Sequence, residues 1–266
     1  MRHVVLALAI VLCASTAQAF DVTSCGQTIP DKQTGSLIGD LNCAAGVGVH
    51  LGHKATLDLN GHALVATDGS PIVCDGKQCR VLSSTAAPGD VSGDTDVDCI
   101  LMSAIRGKVV LDNVTVHDCR TCVETNPVGV HAWGAAVFAT AVDIDGCVGP
   151  GIDARKVDAR GVSITGAGDI ALWAEMKLTG DGIDVSGNTG RGIFAVSLRA
   201  DNVIANDNAV YGVESFGRMR IRGGQMLNNG SWDVVARAAK VTDVTCGRSH
   251  EIGSDPPASL GICTDD

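Results

Sequence analysis

A period of about 21 residues runs through the second half of the chain and constrains the fold more than any other feature. Segments opening on Gly129-Val130, Gly151-Ile152, Asp169-Ile170, Gly192-Ile193, Gly212-Val213 and Asp233-Val234 follow at intervals of 22, 18, 23, 20 and 21 residues. A second column, Val142, Val162, Ile183 and Val203, is spaced by 20, 21 and 20. Two residues after each comes Ile144, Ile164, Val185 or Ala205, so every copy carries a short alternating stretch. A strand-sized unit cannot bury its apolar face alone. Repeated at this length, it does so by stacking on its neighbours, which makes a solenoid.

The period also assigns faces. Val137, Val157, Leu178, Leu198 and Met219 form one apolar column, and Ala139, Ala159, Gly180, Ala200 and Ile221 a second, small one. Strand side chains alternate between faces, so these columns point inward and the residues between them point outward. The outward sets are Phe138, Asp158, Thr179, Arg199, Arg220 and Thr140, Arg160, Asp181, Asp201, Arg222. A turn column follows: Cys147, Ala167, Asn188, Asn208, Asn229. Its stacked asparagines can bond one another and accept the left-handed backbone of a tight turn. With aromatics at 3% and 33 glycines, the core must be narrow and filled by Val, Ile, Leu and Ala.

The first 19 residues read as an export signal: Arg2 and His3, an apolar run over 4–12, then Ala17-Gln18-Ala19 before Phe20. Cys13 raises a lipoprotein alternative, which the bulky Leu12 before it disfavours. No later stretch has the roughly 20 apolar residues of a membrane span, so the chain is expected to be secreted or periplasmic. Residues 20–46 read as an N-terminal cap, 47–246 as the solenoid and 247–266 as a C-terminal tail. Beyond the signal ten cysteines remain, an even number that favours disulfides in an exported chain. Cys25 with Cys43 and Cys246 with Cys263 would tie the two ends, and Cys119 with Cys147 would join stacked turns. The lone Cys119-Arg120-Thr121-Cys122 lacks the second pair of a zinc site. Residues 83–98 and 120–128 read as insertions, the first a polar surface loop. A formal charge of -10 argues against non-specific nucleic-acid binding, which needs a cationic surface.

These motifs resemble a known group. The Cys-Gly-x-Thr-Ile over 25–29, the Asp-Leu-Asn-Cys over 40–43, the Leu57-Asp58-Leu59-Asn60-Gly61-His62 stretch, the Gly-Ile/Val-x-Ala coil openings and the Asn ladder are similar to the pectate-lyase-like superfamily, and within it to bacterial right-handed β-helix repeat proteins. The resemblance covers most of residues 25–246. It implies an all-β fold, a single-stranded right-handed parallel β-helix of about nine coils with disulfide-tied caps. It says little about activity, since this fold hosts lyases, hydrolases, epimerases and adhesins. The chain lacks the Asn-Thr-Asp and Gly-His-Gly of polygalacturonases, the Trp-Ile-Asp-His of pectate lyases and the Asp-Pro-His of alginate epimerases.

Two outward faces are candidate sites. One carries Trp133, Arg155, Trp173, Val196, Phe216 and Arg237 in a column, with His131, Asp153 and Glu214 beside it. Aromatic faces stack on sugars and arginines hold carboxylates; the alternative is rings packed under a loop. The other carries Arg199, Arg220 and Arg222 with Asp181 and Asp201. A lyase there would use the cations to neutralise a uronate carboxylate and a nearby base to take the proton. The alternative is a ladder of surface ion pairs, Arg160 with Asp181 and Asp201 with Arg222. His50, His53 and His62 share the first coil without a metal-binding spacing, so no metal is expected there. Asp90, Asp94, Asp96 and Asp98 crowd one loop and would suit Ca²⁺, or stay a solvated acidic loop. Asn113-Val114-Thr115 and Asn229-Gly230-Ser231 are glycosylation sequons inside the coils. The first expectation for function is an exported module binding a polysaccharide or cell-surface glycan. The second is a small carbohydrate-active enzyme acting on an acidic polysaccharide.

Overall fold

The computed structural model describes residues 19–104, 107–125, 134–253 and 259–264. Among them there is no helix: the chain is an all-β parallel solenoid of about ten turns. Strand pairing is parallel from Phe20–Val22 at one end to Ser249–Glu251 at the other. The early coils use strands of two to five residues, whereas the later ones fuse into Ile152–Thr165, Ile170–Asp184, Arg191–Ile204, Tyr211–Met226 and Trp232–Cys246.

The expected inward columns stack in register. Val137 lies on Val157, Val157 on Leu178, Leu178 on Leu198 and Leu198 on Met219, all buried. The small column is small for a reason: a Cβ at Gly180 would sit 2.3 Å from the Ala159 carbonyl oxygen. Each long strand bends where its backbone turns left-handed, at Ala141, Gly161, Gly182, Asn202, Gly223 and Asp243. A second left-handed column, Asp118, Gly146, Gly166, Gly187, Asp207 and Asn228, stands just before the turn ladder. Only Gly, Asn and Asp visit this region cheaply, and all but Ala141 are of those types.

The ladder itself is a directed chain of hydrogen bonds. The Asn188 Nδ2 donates to Asn208 Oδ1 at 3.0 Å, and Asn208 Nδ2 donates to Asn229 Oδ1 at 3.0 Å. Asn229 Nδ2 then donates to Asp233 Oδ1 at 2.7 Å. Asp233 is buried and ends the chain, its Oδ2 accepting from the amides of Gly247 and Arg248. Asn229 is therefore enclosed, and Asn113 Nδ2 donates to the carbonyls of Ser83, Thr85 and Ala87. A glycan on either would block closure of its coil. Secreted from a eukaryotic host, the folded protein is expected to keep its intact mass on N-glycosidase treatment; a loss of one or more glycan masses would refute this.

Several expectations need correction. The third copy opens on Ala171-Leu172, not Asp169-Ile170, because Leu172 stacks between Ile152 and Ile193. The copy before Ile152 is Val123, in register with it; Gly129-Val130 lies outside the described residues. The 83–98 stretch is not all surface loop: Gly89–Ser92 is a strand between Ala63–Ala66 and Val114–His117, with Val91 fully buried. The disulfides Cys25–Cys43 and Cys246–Cys263 are present, but Cys119 joins Cys99 and Cys147 joins Cys122, with Cα separations of 5.7 and 5.8 Å. Stacked residues of one column project in parallel, whereas a disulfide needs converging Cβ atoms. Each sulfur therefore finds a partner outside its own column. No helix among the described residues is long and apolar enough to cross a membrane.

Candidate functional site

The two outward faces fare differently. On the first, the register shifts between Ala154 and Lys156 and again between Ala174 and Lys177. Trp173 therefore stacks between Asp153 and Phe194, not beside Arg155. Arg155, Val196, Phe216 and Arg237 follow the inward Ala154, Ala195, Ser215 and Ala236, one place further along the strands. Trp173 and Phe194 meet edge to face at 5.7 Å, and Phe194 and Phe216 do so at 5.6 Å. Rings at such angles interlock and offer no shared flat platform for a chain of sugars. Asp153 and Glu214 are buried and separated by the Trp173 and Phe194 strands. Burial pushes the Glu214 carboxyl up, and Arg191, 3.2 Å away, opposes the shift in part. Trp133 and His131 lie outside the described residues.

Trp232 is stacked on His250 at 5.2 Å, with the Arg248 guanidinium 5.6 Å from its ring centre.

The charged face is in register throughout. Thr179, Arg199, Arg220 and Lys240 form one column, and Asp181, Asp201, Arg222 and Thr242 the next. Lys156 stacks on Lys177 at its margin, and Arg218 lies beside Ala238. A groove of about 310 Å³ is lined by Arg199, Asp201, Arg220, Arg222, Lys240 and Thr242. A second of about 370 Å³ continues it past Lys177, Thr179 and Asp181 to Asp158 and Arg160. Lys108 sits 4.0 Å over the Phe138 ring near the far end.

The expected ion-pair ladder is half formed. Arg222 pairs with Asp201 at 3.3 Å. Arg160 turns instead to Asp158 on its own strand, at 3.4 Å, and Asp181 accepts from Asn202 Nδ2 at 2.9 Å. Arg199, Arg220 and Lys240 make no ion pair or hydrogen bond among the described residues. All three are exposed on consecutive strands, which lie about 4.8 Å apart. Like charges directly opposite one another destabilise a sheet, so this face carries a repulsion that an anion would relieve. On the strands from 136 to 242 it holds eight cations against three carboxylates, in a chain whose formal charge is -10.

His50, His62, Asp94 and Asp98 are engaged within the protein, whereas the His53 Nδ1 is buried without a hydrogen-bond partner among the described residues. His50 pairs with Asp75 at 2.8 Å and His62 with Asp40 at 3.3 Å. Asp98 is buried and takes Arg120 Nε at 3.0 Å, while Asp94 caps Thr95. Among the described residues no group of three or more His, Cys, Asp or Glu could hold a metal. Asp90 pairs with His117 Nε2 at 3.0 Å, and His117 Nδ1 meets Asp118 at 2.8 Å. Partial burial lowers the His117 pKa, but the bonds to Asp118 and Asp90 outweigh it, and the net shift is upward. A raised folded-state value stabilises the protein fully below the ordinary histidine pKa and loses that stabilisation as pH rises through the folded value. The thermal midpoint is expected to fall between about pH 6 and pH 8, and to fall less in His117→Gln. Identical slopes in the two proteins would refute the assignment.

No family model, no curated protein and no solved structure matches the chain significantly.

Proposed function

We propose that this protein is an exported, non-enzymatic module that binds an acidic polysaccharide along the charged face. The observation that carries the reading is the column Arg199, Arg220 and Lys240, three exposed cations on successive strands with no counter-ion among the described residues. Strand spacing near 4.8 Å is comparable to the length of one pyranose unit, so successive uronate carboxylates can meet successive cations. Guanidinium groups hold carboxylates by paired, charge-assisted hydrogen bonds. A cationic strip on an acidic protein also directs an anionic chain to one face. The parallel solenoid, the repeat motifs and the four disulfides support placing the chain among exported pectate-lyase-like β-helix proteins.

The binding reading is favoured over the lyase reading by the neighbouring carboxylates. A proton-abstracting base must be free to reach substrate, yet Asp201 is held by Arg222 and Asp181 by Asn202. Incubation with polygalacturonate, alginate and a glucuronan is expected to give retention on the polymer and no rise in unsaturated-product absorbance. Product from any of them would establish turnover. Absence of both binding and turnover would leave a structural role.

A further inference from the structure

Eight of the ten cysteines outside the first 19 residues are joined; Cys74 and Cys79 remain as buried thiols. Cys74 ends the strand Ile72–Cys74, and Cys79 follows Gln78 at the start of Gln78–Leu82, with only the 75–77 corner of the coil between them. Both side chains point into the core at zero exposure. Cys74 stacks directly on Leu51, whose carbonyl oxygen accepts from the Asp75 amide at 2.9 Å. The Cys79 Sγ lies 3.9 Å from that same carbonyl oxygen. The two thiols are thus gathered around one peptide group of the preceding coil. No other sulfur partner is open to them, since the eight remaining cysteines are taken.

We infer that Cys74 and Cys79 form a fifth disulfide in the mature protein, which staples the 75–77 corner within one coil. The step is thiol–disulfide exchange with a small or protein-borne disulfide oxidant. The Cys74 thiolate attacks the oxidant's disulfide and releases one thiol, giving a mixed disulfide. The Cys79 thiolate then attacks the Cys74 sulfur and releases the second thiol. Two electrons and two protons pass to the oxidant, and one S–S bond forms. Burial and the hydrogen bond with Cys79 raise the Cys74 pKa, so the closed coil is a poor place for the attack. The bond therefore forms while the chain folds. Four residues separate the two sulfurs along the chain, so closing the ring needs no distant coil.

Lys77 makes the test direct, since trypsin cleaves after it and after Lys54 and Arg80. The full chain beyond residue 19 is refolded in a mixture of reduced and oxidised glutathione, denatured without reductant, alkylated and digested. Only material in which Cys25–Cys43, Cys99–Cys119, Cys122–Cys147 and Cys246–Cys263 are recovered linked is scored. The expected result is the tripeptide 78–80 joined to peptide 55–77. Recovery of both peptides alkylated from that material overturns the inference. A Cys74→Ala/Cys79→Ala variant supplies a second readout: refolded the same way, it is expected to have a lower thermal midpoint than the wild type. Under reductant titration of the wild type, the 74–79 linkage is expected to open only with unfolding, and its loss before any unfolding would also count against a buried staple.

Discussion

Reversing two charges, Arg199→Glu with Arg220→Glu, is expected to weaken binding of polygalacturonate at least about a hundredfold. The two guanidinium groups are adjacent on stacked strands and line the same groove. A charge-assisted hydrogen bond contributes about 1.5–3 kcal/mol, and about 1.4 kcal/mol is a factor of ten in affinity. Removing two such contacts gives roughly the stated loss, and the new carboxylates add repulsion. Neither arginine makes an ion pair among the described residues, so the fold has little to lose, and the repulsion with Lys240 is relieved. The thermal midpoint is therefore expected to hold or rise while affinity collapses. Raising salt should weaken the wild type steeply and the variant hardly at all, since exposed charge attraction is screened within about 10 Å at 0.1 M. An unchanged affinity would remove the charged face from consideration.

The second large effect is on stability. Asp233→Asn is expected to cost about 3 kcal/mol, although it changes one atom. The carboxylate accepts from four donors: the Asn229 amide and Nδ2 on one oxygen, and the Gly247 and Arg248 amides on the other. A carboxamide has only one oxygen, so one pair of buried N–H groups must face its NH₂. Leaving a buried donor unsatisfied costs about 1–3 kcal/mol. Asn208→Leu should cost about as much, because Asn188 loses the acceptor for its amide and its Nδ2. For a chain of this size roughly 2–4 °C accompanies each kcal/mol, so scanning calorimetry should show a drop of about 10 °C for either. A change of a degree or less would show that the ladder is ornamental.

Legibility from sequence followed the physics of each feature. The inward columns were visible because burial forces a repeated apolar choice, and Val142, Val162, Ile183 and Val203 are buried as that pattern required. The Asn ladder was visible for the same reason: Asn188, Asn208 and Asn229 each fill one demanding niche. The left-handed bend at Gly161, Gly182, Asn202, Gly223 and Asp243 was there to be read, at intervals of 21, 20, 21 and 20, but its residue types vary and hide it. The third coil misled because Asp169-Ile170 imitates a Gly-Ile opening, while Leu172 fills the core position. That slip moved Trp173 out of its true neighbourhood beside Phe194. The Asp90–His117–Asp118 cluster gives no linear signal, since Asp90 reaches His117 from the preceding coil. Disulfide partners among Cys99, Cys119, Cys122 and Cys147 depend on Cβ directions, which spacing does not contain.

On the charged face, position was legible and so was one of the two expected pairs, Asp201 with Arg222; the other fails because Arg160 turns to Asp158 on its own strand. Sequence places Arg199, Arg220 and Arg222 outward together and sets Asp201 beside Arg222. The structure forms that pair and, among the described residues, leaves Arg199 and Arg220 without a counter-ion. The claim that these open cations hold an acidic glycan is tested most directly by titrating the protein calorimetrically with polygalacturonate and with its fully methyl-esterified form. The two polymers share a backbone and differ in charge. Saturable binding of the acid form, lost on esterification, is the expected result. Equal binding of both polymers, or binding of the ester alone, would contradict it.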